Sequence, residues 1–318
     1  MTITPVPIQL PQLSTSLRTF SAEEPDSWQP VLDIAVAADR AGIDRIVVSD
    51  HVVFGEDLEA YGKPELGGAE GGKQPTGPDG HWLEPLTTLS VIAGMTTRVR
   101  LGTNIVIAAL RRPVILAKAA STLDVLSHGR LDLGVGVGWQ REEYEAAGLS
   151  FDGRGRLLDH SLAVCTTLWG EQRASYADDL LQFEHIHQMP KPLRPGGVPL
   201  WVSGTVNRRV ARRLARFGTG GWIPWGPAAA DPVTGIPQMR ALLEEEGHDP
   251  AGLQVVGSVP LVRTDDGVDL AASMAQLPPL VEAGVTDFRG NFAAPAGSDT
   301  TDYFAEVVGA FRGAVGRS

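Results

Sequence analysis

The chain has 318 residues, with 27 Lys and Arg against 38 Asp and Glu, giving a net charge of −11. Hydrophobic residues at 43% and charged residues at 20% fit a globular chain that buries a large core, and exclude disorder as its main state. The acidic balance excludes a general nucleic-acid surface, and the single cysteine, Cys165, excludes an internal disulfide and a thiolate zinc cluster.

The length permits two domains, but α/β barrels of this size run as one, so residues 1–318 are expected to form a single barrel domain. The first residues have no basic start before Arg18 and no unbroken apolar block. No export signal is expected, and the cytoplasm is the expected compartment. No run reaches the roughly 18 apolar residues of a membrane helix. The 37 glycines are well above the usual share of about 7%, which implies many turns or many close backbone approaches.

In chain order, residues 6–11 read as a short strand. Residues 28–41 carry apolar side chains at helical spacing, with Asp26 or Ser27 as N-cap and Gly42 as the stop. Residues 43–49 are a β-branched buried strand. After a long loop come a helix at 83–96, a strand at 99–108, a helix at 113–129 closed by Gly129, and a strand at 130–138. Helices follow at REEYEAAG and 153–170. Residues 174–189 alternate and read as a hairpin insertion. The second half continues as strand 199–204, helix 206–218, strand 220–224, helix 237–247, strand 253–263, helix 267–283, strand 286–290 and helix 302–315. Eight strands alternating with helices imply parallel pairing with right-handed crossovers. That favours a closed (β/α)8 TIM barrel over an open doubly wound sheet.

In such barrels the chemistry sits at the strand C-termini. The residues there are Ser49-Asp50-His51, Thr103-Asn104-Ile105 with Arg111-Arg112, Gly138-Trp139-Gln140-Arg141, Ser203 to Asn207, and Trp222 to Trp225. His51 can transfer protons near neutral pH, or it can pack on the rim against a carbonyl. The run GVGVG at 134–138 lacks the dinucleotide spacing. Its alternate glycines mark either a close approach by a ligand or tight packing inside the barrel. Gly204, Thr205 and Asn207 precede a helix N-terminus and suit a phosphate, with Arg208 and Arg209 as local positive charge; the alternative is an ordinary N-cap at Thr205 or Asn207. His185 and His187 share a strand face without a third ligand, so no metal is expected. The loop at 55–81 holds eight glycines, and a loop of this length is usually a functional lid or disordered.

The stretch 98–148, together with VVSDHVV, HWLEPLTTL, GRGRLLDHSL and PLWVSG…GGWIP, resembles the luciferase-like flavin- and deazaflavin-dependent oxidoreductases. The likeness covers most of the first 225 residues. Pairing Asp-His after the second strand with GVGVGW after the fourth is most similar to the coenzyme F420-dependent branch. The resemblance implies a (β/α)8 barrel, commonly a homodimer, with F420 or FMN at the strand C-termini. It places Asp50 facing the coenzyme ring and His51 near its hydride-transferring carbon. It implies a cis peptide at Asn104-Ile105 and a site lined by Gly138 and Trp139. Gly204, Thr205, Val206 and Asn207 would cradle the phosphate, with Arg208 nearby. Relatives that oxidise sugar phosphates have a glutamate where this chain has Trp139, which argues against that substrate. Phe54, Trp82 and Trp139 are expected to form the substrate wall. The expected activity is hydride transfer between F420 and a small organic substrate. The alternatives are an FMN monooxygenase fed reduced flavin by a partner reductase, and a flavin-binding barrel without turnover.

Overall fold

Short buried strands alternating with amphipathic helices can hide both faces of a parallel sheet only if the helices ring it and the sheet closes. The computed structural model describes residues 10–64, 72–264 and 267–317. Among them, eight parallel strands form the barrel: β1 Gln12–Ser16, β2 Arg45–Val48, β3 Arg100–Thr103, β4 Leu131–Gly136, β5 Leu200–Gly204, β6 Gly221–Pro224, β7 Val256–Ser258 and β8 Asp287–Gly290. They pair in chain order, and β1 also pairs with β8. A parallel bridge between Trp222 and Val255 closes the ring. The fold is the expected (β/α)8 barrel.

The helices that position the site are α1 Gln29–Ala41, α2 Pro85–Met95, α3 Pro113–Leu126, α4 Arg141–Ala146, α5 Arg154–Gly170 and α6 Arg208–Phe217. Gly42 ends α1 in the left-handed conformation with φ 89°, which glycine adopts without steric cost. Residues 174–189 contain the expected hairpin, Ala174–Ala177 against Gln182–Ile186. Cys165 is buried in the core. No helix among the described residues is long and apolar enough to cross a membrane.

Helix 237–247 runs from Pro232 to Glu245, and strand 99–108 divides into Arg100–Thr103 and Val106–Ile107. Four further features differ from the sequence reading, three of them because of proline. The first strand is Gln12–Ser16 rather than 6–11. Pro11 has no N–H for the ladder, whose first bond is Gln12 N–H to the Thr286 carbonyl at 2.8 Å; residues 6–9 lie outside the described residues. Strand 253–263 shortens to β7, with Pro260 just beyond its end. Helix 267–283 divides into Leu270–Met274 and Leu277–Ala283, because Pro278 and Pro279 are tolerated only in a first turn. The fourth difference is the cap of α1. Its N-cap is Trp28, while the Ser27 hydroxyl accepts from Gln29 N at 3.0 Å.

The barrel interior carries charge. Arg45 lies between two carboxylates, Asp132 (2.9 Å) and Asp287 (2.8 Å). Arg100 joins Asp132, and Arg289 joins Asp287. All but Arg100 are buried. Burial alone would raise the pKa of both carboxyls. The arginines outweigh it and hold Asp132 and Asp287 below the ordinary carboxylate range. The guanidinium of Arg289 also donates to Asn104 Oδ1 at 2.8 Å, linking this network to the loop after β3.

Candidate active site

A cavity of about 1190 Å³ opens at the C-terminal ends of the strands. Its lining has two chemically distinct parts. One is aromatic, with His51, Tyr61, Trp82, Trp139 and Trp225. The other is basic, with Arg154 and Arg156 at the start of α5 and Arg209, Arg212, Arg213 and Arg216 along α6.

His51 leaves β2 into the aromatic part. Its ring centroid is 4.5 Å from Phe54, 4.7 Å from Trp82 and 5.9 Å from Trp139. Tyr61 reaches Trp139 at 5.4 Å and Trp225 at 6.5 Å. Burial pushes the Tyr61 phenol above its ordinary pKa, so it stays a neutral hydroxyl. Phe54 backs His51 and Trp82 and is not among the residues lining the cavity. Its ring is in contact with both partners instead.

Each nitrogen of His51 meets a protein group. Nδ1 is 3.2 Å from Glu143 Oε1, and Nε2 is 3.3 Å from the Gln74 amide nitrogen. Glu143 lies on α4, fully buried, and also accepts from Val52 N at 2.9 Å. The Tyr144 hydroxyl donates to the Val137 carbonyl at 2.6 Å, which fixes α4 against the exit of β4.

Asp50 lines the cavity, with its carboxylate held by the protein. Arg111 bonds both oxygens, at 2.6 and 3.0 Å, and Ile107 N donates at 2.8 Å. Burial works against the Arg111 charge, but Asp50 and Glu84 outweigh it and raise its pKa. This bidentate pair pins the chain after β3, where the Asn104–Ile105 peptide is cis. Asn104, Ile105 and Gly138 all line the cavity.

The alternate glycines of β4 resolve into packing. A Cβ at Gly134 would lie 2.0 Å from the Thr103 carbonyl oxygen, and one at Gly136 would lie 2.9 Å from Ile105. Only Gly136 and Gly138 reach the cavity, so the close approach is made by the barrel itself.

The segment after β5 supplies Gly204, Thr205 and Asn207 to the cavity. Asn207 caps α6, accepting from Val210 N at 3.0 Å, and donates to the Thr205 hydroxyl at 3.0 Å. Two expected members do not line the cavity. Val206 packs against the hydrophobic core. Arg208 is exposed and paired with Glu245 at 2.7 Å, because its position on α6 turns it away. The neighbouring Arg209 lines the cavity instead, and with Arg212, Arg213 and Arg216 it repeats at helical spacing along one face. Among the described residues no cluster of His, Cys, Asp and Glu suits a metal.

The family model for luciferase-like monooxygenases matches residues 10–289. The chain belongs to this luciferase-like family. An uncharacterized Mycobacterium tuberculosis protein is 30% identical over 177 residues, 50% of this chain and 61% of that protein. The match therefore spans about three fifths of that relative's length. An F420-dependent glucose-6-phosphate dehydrogenase from Segniliparus rotundus is 30% identical over 234 residues, 70% of this chain and 61% of that enzyme. Among solved luciferase-like folds, an F420-dependent secondary alcohol dehydrogenase in complex with an F420-acetone adduct has a TM-score of 0.71 at 19% identity, covering 96% of this chain and 100% of that one. The monooxygenase RslO1 from Streptomyces bottropensis has a TM-score of 0.70 at 18% identity, covering 96% and 98%. These two structures share the luciferase-like fold with this chain.

Of the α6 arginines the motifs point only to Arg208 and Arg209; Tyr61, Gln74, Glu143, Arg154, Arg156, Arg212, Arg213 and Arg216 carry no motif that marks them as site residues. The α6 arginines carried a detectable signal in their helical spacing. Tyr61 and Gln74 sit in the glycine-rich loop, where no periodicity marks a facing side. Residues 65–71 of that loop, part of the expected lid, lie outside the described residues.

Proposed function

We propose that this luciferase-like barrel is an F420-dependent oxidoreductase acting on a small, neutral organic substrate. The observation that carries the proposal is the run of arginines beside Gly204, Thr205 and Asn207. FMN ends at its phosphate. The deazaflavin coenzyme continues beyond it into a carboxylate-bearing tail. Arg209 and Arg216 line the cavity without an ion pair among the described residues, so their charge is available to an anionic tail. The glycines and small polar residues at the start of α6 leave room for a phosphate at a helix N-terminus.

When bound, the coenzyme supplies the hydride chemistry. The protein's own part is positional and acid–base. Asp50 and Arg111 fix the loop after β3, Trp82 and Trp139 exclude water, and His51 exchanges a proton with the substrate. Asp50, the carboxylate lining the aromatic part, is neutralised by Arg111, so it leaves no charge there to attract a second ion. A neutral substrate therefore fits it better than a sugar phosphate. A second reading, FMN monooxygenase chemistry, has the support of the monooxygenase among the structural neighbours, and the same cradle would accept the FMN phosphate.

The arginine face separates the two readings. Replacing Arg209 and Arg216 together by serine is expected to weaken F420 binding about threefold to tenfold, with the loss shrinking at high salt. FMN binding should change less than about twofold, because FMN has no tail to meet these positions. Ring fluorescence titration of both variants and both coenzymes measures this. Equal losses for the two coenzymes would count against the tail assignment.

A further inference from the structure

We infer that Glu143 is the positioning residue that fixes the tautomer of His51, presenting the Nε2 lone pair to the cavity. The inference rests on the proton-transfer reading of His51 given above and adds a residue to it.

Ionised Glu143 can only accept hydrogen bonds. Its Oε1 takes one from Val52 N at 2.9 Å and faces His51 Nδ1 at 3.2 Å, so the imidazole proton belongs on Nδ1. Nε2 is then an acceptor, and the Gln74 amide nitrogen stands 3.3 Å from it as a donor. Glu143 is fully buried, and its second oxygen, Oε2, has no hydrogen-bond partner. A buried carboxylate needs hydrogen-bond donors, and the imidazole of His51 is the side-chain donor that Glu143 Oε1 faces. The backbone keeps the pair aligned, because Val52 follows His51 directly and binds the same oxygen. His51 Nε2, lying beside the cavity, can therefore take a proton from a bound hydroxyl.

The arrangement also predicts how two substitutions differ. In Glu143→Gln the amide oxygen must occupy the Oε1 position, since an NH2 group there would face the Val52 N–H donor to donor. The Nδ1–H tautomer is kept and the charge is lost. In Glu143→Ala both the acceptor and the charge are lost.

The test is the nitrogen NMR spectrum of protein labelled at histidine with 15N, in the absence of coenzyme, with His51→Gln used to assign the signal. The expected wild-type signal is the neutral Nδ1–H form, retained in Glu143→Gln and replaced by a mixture or by Nε2–H in Glu143→Ala. With the coenzyme and a turned-over alcohol or ketone, Glu143→Gln is expected to lower kcat about tenfold with KM nearly unchanged. A wild-type signal from Nε2–H or from the doubly protonated ring would overturn the inference, as would an unchanged tautomer in folded Glu143→Ala. If Glu143→Ala does not fold, Glu143→Gln decides: loss of the neutral Nδ1–H signal in that variant overturns the inference. The wild-type spectrum needs no coenzyme, so a failure of the F420 reading would leave this result standing.

Discussion

His51→Ala is expected to lower turnover by about 10²- to 10⁴-fold, the range for losing a positioned proton-transfer group. The assay follows the deazaflavin absorbance with a panel of small alcohols and conjugated ketones, using the best of them as reporter. Coenzyme affinity should change less than about threefold, because the phosphate cradle and the arginine face lie on β5, α5 and α6, apart from the β2 exit. The expected split follows from the geometry. His51 contacts aromatic rings on three sides and has one nitrogen fixed by Glu143. Its removal opens space next to Trp82 and Trp139 without touching the basic part of the cavity. Turnover surviving within a few-fold would show that His51 is a packing residue of the rim.

Arg45→Met is expected to destabilise the fold by about 3–5 kcal/mol, the cost of breaking a buried ion pair from one side. Methionine nearly fills the volume, so the loss is electrostatic. It leaves Asp132 and Asp287 with one arginine each, in the interior of the barrel. Urea unfolding followed by tryptophan fluorescence measures the change, with the m-value expected to stay constant. A loss under about 1 kcal/mol would mean that Arg100 and Arg289 suffice. The acid dependence has a definite sign. Asp132 and Asp287 have lowered folded-state pKa values, so the stability they contribute is present above the unfolded carboxyl value of about 3.9. It is lost as the pH falls from there through the folded values. Without Arg45 that acid-side slope should flatten.

The barrel was legible because its signals are local. Short β-branched runs, helix-stop glycines such as Gly42, and prolines at helix starts each mark an element without knowledge of its neighbours. The positions of Asp50, His51, Asn104 and Gly204 followed from one rule, that barrel chemistry lies at strand C-termini. The buried charge was not legible. Arg45, Asp132 and Asp287 stand in runs that read as ordinary strands, and only pairing across β2, β4 and β8 neutralises them. Glu142 and Glu143 look alike in REEYEAAG. The Tyr144 bond to Val137 sets the rotation of α4 that sends Glu143 inward. Arg208 and Arg209 differ by one step of about 100° on a helix, enough to exchange solvent for cavity. The sequence pattern identified a basic helix but could not phase it.

Coenzyme choice is the central claim, and direct titration of the purified protein tests it most directly. Oxidised F420 and FMN are each added in turn and followed by ring fluorescence at physiological ionic strength. The arginine-lined cavity predicts F420 binding at least about tenfold tighter, a difference of about 1.4 kcal/mol. FMN binding equal to or tighter than F420 would contradict the account and favour the flavin monooxygenase reading.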